Sequence, residues 1–220
     1  MTQIKICGIT HREDALCAAE CGATALGFIF YPASPRYIKP ENAKTIINTL
    51  PDKVVTVGVF VNEKPEEVKR IMEYCPLDMI QLHGDESLEY CRHFPASLVI
   101  KAVELKNESD INRAGSYDVA AILIDHRHAG LYGGTGKTSN WELAVRVKEK
   151  NPLILSGGLN EKNIAEALQT VSPAALDINS SVETSPGKKD HAKLKKIFHL
   201  IRKADNAPEN LPLIFSKRTL

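Results

Sequence analysis

The sequence lacks an apolar run that approaches the about 20 residues of a membrane-spanning helix, and it carries almost no net charge. Its 28 Lys and Arg residues face 27 Asp and Glu residues, for a formal net charge of +1. That balance provides no overall attraction to nucleic acid or to an anionic membrane surface. The first residues, MTQIKICGIT, enter strand-like sequence at once, so we expect no signal peptide there. These absences predict a cytoplasmic protein that binds neither membranes nor nucleic acid.

The sequence also lacks the cysteine pattern of a disulfide framework and a set of three histidines gathered at one predicted strand end. The five cysteines form no CxxC pair and are odd in number; they are Cys7, Cys17, Cys21, Cys75 and Cys91. We predict reduced thiols rather than a disulfide framework. The candidate metal ligands are His83, His126 and His128, and these three do not meet at one predicted strand end, because His83 follows the fourth strand whereas His126 and His128 follow the sixth. The sequence therefore predicts no metal site.

A glycine-rich stretch at residues 124–141, IDHRHAGLYGGTGKTSNW, lacks the complete phosphate-binding loop that it first suggests. The P-loop pattern G-x-x-x-x-G-K-[ST] requires a glycine five residues before Gly136, and that position is Leu131. Gly130 comes one residue too early, and such a shift redirects the backbone amides that surround a phosphate. We therefore predict neither an ATPase nor a kinase, and we expect Lys137 to be a solvated loop residue.

Short apolar runs alternate with amphipathic helical patterns along the chain, which has 220 residues, 43% of them hydrophobic. The runs that predict strands are 3–7, 25–29, 54–60, 78–82, 97–103, 119–125, 152–156 and 174–178. Helical patterns in the gaps include 11–22, 64–75, 141–150 and 159–170, and Asn160 is expected near the start of the last. Strands that each precede a helix predict a parallel sheet.

Eight strand–helix units in about 200 residues fit the small end of the (β/α)8 barrels. An open doubly wound sheet is the alternative, but it normally carries a nucleotide-binding fingerprint after its first strand, and KICGITHRED contains none. We predict an α/β protein with a single-domain (β/α)8 TIM barrel over residues 1–203. The C-terminal tail, residues 204–220, is either a mobile end or an apolar strip packed on the barrel.

Two groups at the carboxyl ends of the predicted strands could exchange protons, and in such barrels the chemistry lies at that face. Cys7 ends the first strand and Asp125 ends the sixth. A thiolate base requires nearby donors or positive charge to lower its pKa, and an acid at Asp125 requires burial to raise its pKa. Each residue alone also has a structural explanation, because a strand cysteine is often a small core residue and an aspartate often caps a loop.

Anion-binding candidates follow the second, seventh and eighth strands. SGGLNEKN and INSSVET occupy the two loops where barrels often hold a phosphate, with Gly157, Gly158, Ser180 and Ser181 as candidate contacts. A tight turn is the alternative explanation for the glycine pair. Arg36, in the loop after the second strand, could bind a carboxylate through both arms of its guanidinium, or could be a surface arginine paired with an acidic side chain.

Seven segments, in order up to about residue 200, complete the pattern: KICGIT (5–10), GFIFYPASPRYI (27–38), VGVFVN (57–62), QLHGDE (81–86), LID…GGTGKTSNW (123–141), LSGGL (155–159) and LDINSSVE (176–183). Together they resemble the phosphoribosylanthranilate isomerase family of tryptophan biosynthesis. The last segment departs from a common family form, DVSSGVE, because Ser181 stands where that form has glycine. A serine hydroxyl there could replace a backbone-amide contact.

The resemblance implies an Amadori rearrangement of N-(5-phosphoribosyl)anthranilate to 1-(2-carboxyphenylamino)-1-deoxyribulose 5-phosphate, without metal or cofactor. It implies that Cys7 is the general base and Asp125 the general acid. Arg36 would hold the anthranilate carboxylate, and Gln81 and Asp177 would contact the substrate. The implied phosphate-binding residues are Gly157, Gly158, Asn179, Ser180 and Ser181. The glycine-rich loop after the sixth strand would cover the substrate and exclude water from a hydrolysable iminium ion.

Two other functions compete with this interpretation. Other phosphosugar barrels, such as epimerases and the histidine-pathway isomerase, generally use paired carboxylates or metal-bound histidines, whereas the first strand here ends in Cys7. A barrel that binds a phosphorylated ligand and regulates a partner needs no acid–base pair, and the presence of both Cys7 and Asp125 argues against it. Monomers and dimers both occur in the family, and we expect a monomer rather than a homodimer.

Overall fold

The fold is known from a computed structural model that describes residues 1–125, 140–206 and 210–218. Eight parallel strands pair in chain order and close into a barrel, with the first strand also paired to the eighth. The strands are β1 (Gln3–Ile6), β2 (Ala25–Ile29), β3 (Val55–Phe60), β4 (Met79–Leu82), β5 (Val99–Val103), β6 (Ala121–Ile124), β7 (Leu153–Leu155) and β8 (Ala175–Ile178). The predicted (β/α)8 barrel is confirmed.

Helices connect the strands and surround them. They are α1 (Arg12–Cys21), α2 (Pro40–Ile47), α3 (Pro65–Tyr74), α4 (Leu88–Cys91), α5 (Glu108–Gly115), α6 (Trp141–Lys148), α7 (Ile164–Val171) and α8 (His191–Ala204). Short 3-10 turns lie at Ala96–Leu98 and Ser180–Val182, and a small antiparallel pair, β9 (Glu183–Ser185) and β10 (Lys188–Lys189), precedes α8. Among the described residues, no helix has the length and apolar character needed to cross a membrane.

The alternation of side chains along each strand divides the apolar core into two layers. Ile6 and Leu26 point outward and pack against the helices. Val55, Val57 and Met79 point inward and fill the barrel. Every residue of the eight strands is buried, as expected for parallel strands covered on both faces. Inward-pointing residues near the carboxyl ends of the strands therefore face the barrel mouth.

Most predicted strand boundaries differ from the observed ones by one or two residues, and two of the differences between sequence and structure have a clear local cause. Strand β5 starts at Val99 because a 3-10 turn at Ala96–Leu98 occupies the start of the predicted run. Helix α7 begins at Ile164 rather than near Asn160. Asn160 instead closes a turn, in which its side chain accepts a hydrogen bond from the Lys162 amide at 2.9 Å. An asparagine can stabilise a turn as readily as a helix start, and here the turn precedes the helix.

The described part of the C-terminal tail packs across the opposite end of the barrel, where the strands begin. Ile214 and Phe215 are each 3% exposed and belong to the inner core. The Ile214 amide donates to Gln3 Oε1 at 2.8 Å, and Lys217 Nζ lies 3.0 Å from Asp78 Oδ2. This segment therefore closes the barrel floor, on the side away from the strand ends that carry the predicted chemistry.

Candidate active site

A cavity of about 300 Å³ opens at the carboxyl ends of the strands. Its lining contains nine of the ten residues that the sequence analysis selected for the site: Cys7, Arg36, Gln81, Asp125, Gly157, Gly158, Asp177, Asn179 and Ser180. The tenth, Ser181, does not line it. These residues directly follow β1 and β6, lie on β4 and β8, or belong to the loops after β2, β7 and β8, so closure of the barrel is what brings them together.

Cys7 follows β1 directly and is buried at the base of the cavity. Its backbone amide donates to the Ile178 carbonyl at 2.9 Å, which fixes the strand end beside β8. Burial raises the pKa of the Cys7 thiol above its ordinary value; the Lys5 ammonium opposes the rise, and the Asp177 carboxylate adds to it. The positive charge that a thiolate requires is therefore present, but burial outweighs it and the group rests as a thiol.

Asp125 follows β6 and is buried at the same cavity. Its Oδ2 lies 3.3 Å from His83 Nε2, and His83 Nδ1 lies 2.7 Å from Gln81 Nε2. With the Gln81 amide donating to Nδ1, the neutral imidazole carries its proton on Nε2, facing the carboxyl group. Gln81 Oε1 has no hydrogen-bond partner among the described residues.

The contact between His83 and Asp125 is a site feature that the sequence analysis missed, because it considered His83 only as a metal ligand. The available signal was spacing: His83 follows Gln81 by two residues, and alternate residues of a strand share one face. Once Gln81 is placed in the site, His83 is expected beside it. Among the described residues, no group of three His, Cys, Asp or Glu side chains is arranged to hold a metal ion.

Arg36 lies in the loop after β2 and binds Glu183 through two arms of its guanidinium. Arg36 Nε lies 2.9 Å from Glu183 Oε1, and Nη2 lies 2.7 Å from Oε2. Lys189 Nζ also reaches Glu183 Oε1, at 2.9 Å. Burial alone raises the pKa of the Glu183 carboxyl, but Arg36 and Lys189 hold it below its ordinary value. Arg36 is therefore both paired with an acidic side chain and part of the cavity lining, with no hydrogen bond from Nη1 to a described residue.

Gly8 explains how the Arg36 side chain can pass so close to β1. Its φ of +73° is a left-handed conformation that favours glycine. A Cβ at this position would lie 2.8 Å from both Arg36 Cδ and Asn179 Oδ1. Any larger residue after Cys7 would therefore displace Arg36 or Asn179 from the cavity wall.

The loops after β7 and β8 form one end of the cavity. Gly157 and Gly158 both have positive φ, +82° and +65°, which explains a glycine pair at this turn. No hydrogen bond between described residues uses the backbone N–H of either glycine. On the other loop, Ser180 begins the 3-10 turn and lines the cavity, whereas Ser181 Oγ is buried without a hydrogen-bond partner among the described residues.

Residues 126–139 lie outside the described residues. The predicted loop cover over the substrate, and the three side chains His126, His128 and Lys137, fall within that range. Their interpretation stays a prediction from the sequence.

Comparison with known proteins places the chain in a family. Residues 4–200 match the family model described as N-(5'phosphoribosyl)anthranilate (PRA) isomerase. The chain belongs to this isomerase family. Membership confirms the predicted reaction class, and makes the chain an isomerase of tryptophan biosynthesis.

Members of this isomerase family are similar to the chain, in sequence and in structure, over almost its whole length. An N-(5'-phosphoribosyl)anthranilate isomerase of Syntrophus aciditrophicus is 53% identical over 203 residues, which are 92% of this chain and 88% of the relative. A solved structure from Thermotoga maritima, described as monomers of a dimeric isomerase, has a TM-score of 0.83 and 43% identity, over 92% of this chain and 100% of that one. A third, in complex with reduced 1-(o-carboxyphenylamino)-1-deoxyribulose 5-phosphate, has a TM-score of 0.82 and 43% identity over the same shares.

Proposed function

We propose that this isomerase catalyses the Amadori rearrangement of N-(5-phosphoribosyl)anthranilate with Cys7 as general base and Asp125 as general acid. The observation that carries the assignment is that both side chains, from β1 and β6, line a single cavity at the barrel mouth. A thiol and a carboxyl suit the reaction, because each step moves one proton and no electrons.

Asp125 acts first, by donating its proton to the ring oxygen of the phosphoribosyl group. The bond between C1 and that oxygen breaks, its electron pair stays on oxygen, and the anilino nitrogen forms a double bond to C1. The product is an open-chain iminium ion, and Asp125 is left as a carboxylate. The 3.3 Å approach of His83 Nε2 to Asp125 Oδ2 supports a role for His83 in orienting the acid.

Cys7 acts second, as a thiolate that removes the proton from C2. The iminium nitrogen accepts the electron pair, which makes C2 acidic enough for a base of moderate strength. The resulting enolamine becomes the ketone when C1 gains a proton, donated by the Cys7 thiol, and the C2 hydroxyl loses one, accepted by the Asp125 carboxylate. These two transfers leave Asp125 a carboxylic acid and Cys7 a thiolate, the forms in which they acted.

The remaining cavity residues would bind the two ends of the substrate. The Arg36 guanidinium, with Nη1 uncommitted to any described residue, would hold the anthranilate carboxylate. The turn at Gly157 and Gly158 would hold the phosphate through backbone amides, together with Asn179 and Ser180 on the facing loop. A phosphate contact by Ser181, which does not line the cavity, is supported by the sequence alone. Gln81, through an Oε1 that has no hydrogen-bond partner among the described residues, and Asp177 would contact the sugar.

The compartment, the oligomeric state and the ligand of the enzyme are part of the same proposal. We place it in the cytoplasm, as a monomer rather than a homodimer, with a small phosphosugar as its ligand and no metal or cofactor in the reaction. The Thermotoga maritima relative described as dimeric is a reason to measure the oligomeric state directly. Light scattering on the purified chain would decide it, and a mass of two chains would contradict the monomer.

Freshly prepared phosphoribosylanthranilate tests the proposed activity. The purified chain is expected to remove the anthranilate-type fluorescence far faster than buffer alone, which is a necessary control because this substrate also hydrolyses unaided. The product has the same mass as the substrate, so it is identified after reduction with borohydride, which adds two hydrogen atoms at the C2 ketone of the aminodeoxyribulose phosphate. Release of free anthranilate at the buffer rate would contradict the proposal and would leave a barrel that only binds phosphorylated ligands.

A further inference from the structure

A lysine lies beneath the proposed base, inside the barrel. Lys5 is on β1, two residues before Cys7, so both side chains point inward. Its side chain is completely buried, and it is one of the largest fully buried side chains of the described residues. A buried ammonium group is costly unless other groups compensate its charge, so its position requires an explanation.

One compensating group is Asp177, the residue opposite Lys5 where β1 pairs with β8. Lys5 Nζ donates to Asp177 Oδ1 at 2.9 Å, and this carboxylate is buried as well. The barrel floor does not need the pair for packing, because apolar residues fill the inner core below it. An ion pair at this level therefore points to a role at the mouth of the barrel.

The second group beside Lys5 is the Cys7 thiol, and Gly27 on the neighbouring strand β2 makes room for both. A Cβ at Gly27 would lie 2.7 Å from Cys7 Sγ and 3.1 Å from both Cε and Nζ of Lys5. The sulfur and the ammonium group thus flank the same point, which stays empty only because the residue is glycine. Any side chain at position 27 would separate or displace them.

We propose that Lys5 is a positioning residue for the base, whose ammonium group, anchored by Asp177, stabilises the Cys7 thiolate from inside the barrel. The proposal rests on the proposed role of Cys7. Lys5 needs no contact with the substrate for this, since it acts through the sulfur. It also keeps its own charge, because Asp177 and Cys7 together outweigh the effect of burial and raise the pKa of Lys5.

The other charged groups near Cys7 do not replace Lys5. Lys189 on β10 lowers the pKa of the thiol less than Lys5 does, and its Nζ is already 2.9 Å from Glu183 Oε1. Asp177 raises the pKa of the thiol. The titratable or charged groups on the rest of the cavity wall are Tyr31, Arg36, His83 and Asp125. Among these groups Lys5 makes the largest contribution in favour of the thiolate.

The test is the pH dependence of Cys7 alkylation by iodoacetamide, followed by mass spectrometry of the peptide that contains Cys7. In Lys5→Met, which keeps the length of the side chain without its charge, the midpoint is expected to rise by about one pH unit or more. The matched control is Lys101→Met, which removes the charge of another buried lysine, one paired with Glu86 rather than placed beside Cys7. It should leave the Cys7 midpoint unchanged.

Activity gives a second readout: kcat of Lys5→Met should fall roughly tenfold or more with little change in KM, in proportion to the lost thiolate. An unshifted alkylation midpoint in a folded Lys5→Met protein would overturn the proposal. If the unpaired Asp177 prevents folding, the double variant Lys5→Met with Asp177→Asn is compared with Asp177→Asn alone, because Asp177 itself raises the pKa of the thiol; the midpoint should again be higher in the variant that lacks Lys5. Full activity of Cys7→Ser, in contrast, would remove Cys7 as the base while leaving the alkylation result intact, so the two failures can be told apart.

Discussion

At the scale of single residues, the pairing with Glu183 fixes the position of Arg36, the residue proposed to bind the substrate carboxylate. From the sequence, Arg36 was expected either to contact the substrate or to form an ion pair with an acidic side chain. The structure shows the ion pair, because two arms of the guanidinium bind Glu183, and it also places the side chain in the cavity lining, where the substrate contact stays a proposal. Glu183 could not be chosen from the sequence, since 147 residues separate the partners.

The first prediction concerns Glu183→Gln. The variant keeps the shape of the side chain but weakens the hold on Arg36, so KM should rise roughly tenfold, the equivalent of about 1.4 kcal/mol, with kcat nearly unchanged. Steady-state kinetics would measure both. Glu73→Gln, an exposed position on α3, is the control and should match the wild type. A large fall in kcat with unchanged KM would mean that Glu183 acts on the chemistry rather than on binding.

The second prediction is a pH dependence of stability that arises at the same residue. Because the pKa of Glu183 is lower in the folded chain than in the unfolded one, its contribution is present above its unfolded pKa. That contribution is lost as the pH falls through the folded pKa. Urea unfolding at neutral and acidic pH should therefore show a smaller loss of stability in Glu183→Gln than in wild type. Equal losses in the two proteins would refute this assignment.

At the scale of elements, the strands and most helices could be predicted from the sequence because their signals are local. Continuous apolar runs indicated all eight strands, since each lies between the helix layer and the barrel interior. The errors fall at ends: Ala96–Leu98 is apolar enough to continue a strand but forms a 3-10 turn, and Asn160 caps a turn before α7. In both places the choice depends on tertiary packing, which a local pattern does not contain.

The sequence did not decide whether the tail is a mobile end or an apolar strip packed on the barrel, because the same composition fits both states. In the structure Ile214 and Phe215 enter the inner core at the barrel floor, whereas the preceding residue, Leu213, is 76% exposed. The proposed boundary between a barrel of residues 1–203 and a tail of residues 204–220 stays a prediction. The matched family region, residues 4–200, ends before this segment.

The third prediction tests the tail as a stabilising element. Phe215→Ala removes a fully buried ring and should cost about 3 kcal/mol of unfolding free energy. Leu213→Ala, two residues away and exposed, should change it by less than about 0.5 kcal/mol. Urea denaturation gives both values, and kcat should be unchanged in both variants because the barrel mouth is remote. Equal stability of the two variants would show that the tail does not pack on the floor in solution.

At the scale of the whole molecule, barrel closure converts distant strand ends into one site. The rule that chemistry lies at the carboxyl ends of barrel strands was enough to select Cys7, Asp125 and Asp177 from the sequence. It could not supply the contacts between strands: the pairing of Lys5 with Asp177 exists only because β1 pairs with β8. Interactions that depend on closure of the barrel therefore could not be predicted from the sequence.

The most direct test of the proposed acid–base pair compares the wild type with Cys7→Ser and Asp125→Asn, and uses Cys91→Ser as a control for a buried cysteine outside the cavity. The measurement is kcat with phosphoribosylanthranilate, alongside the affinity for the reduced product analogue 1-(o-carboxyphenylamino)-1-deoxyribulose 5-phosphate. We predict that both site variants lose kcat by roughly 10²-fold or more and still bind the analogue, while Cys91→Ser keeps both properties. Wild-type kcat in either site variant would contradict the assignment of that residue as acid or base.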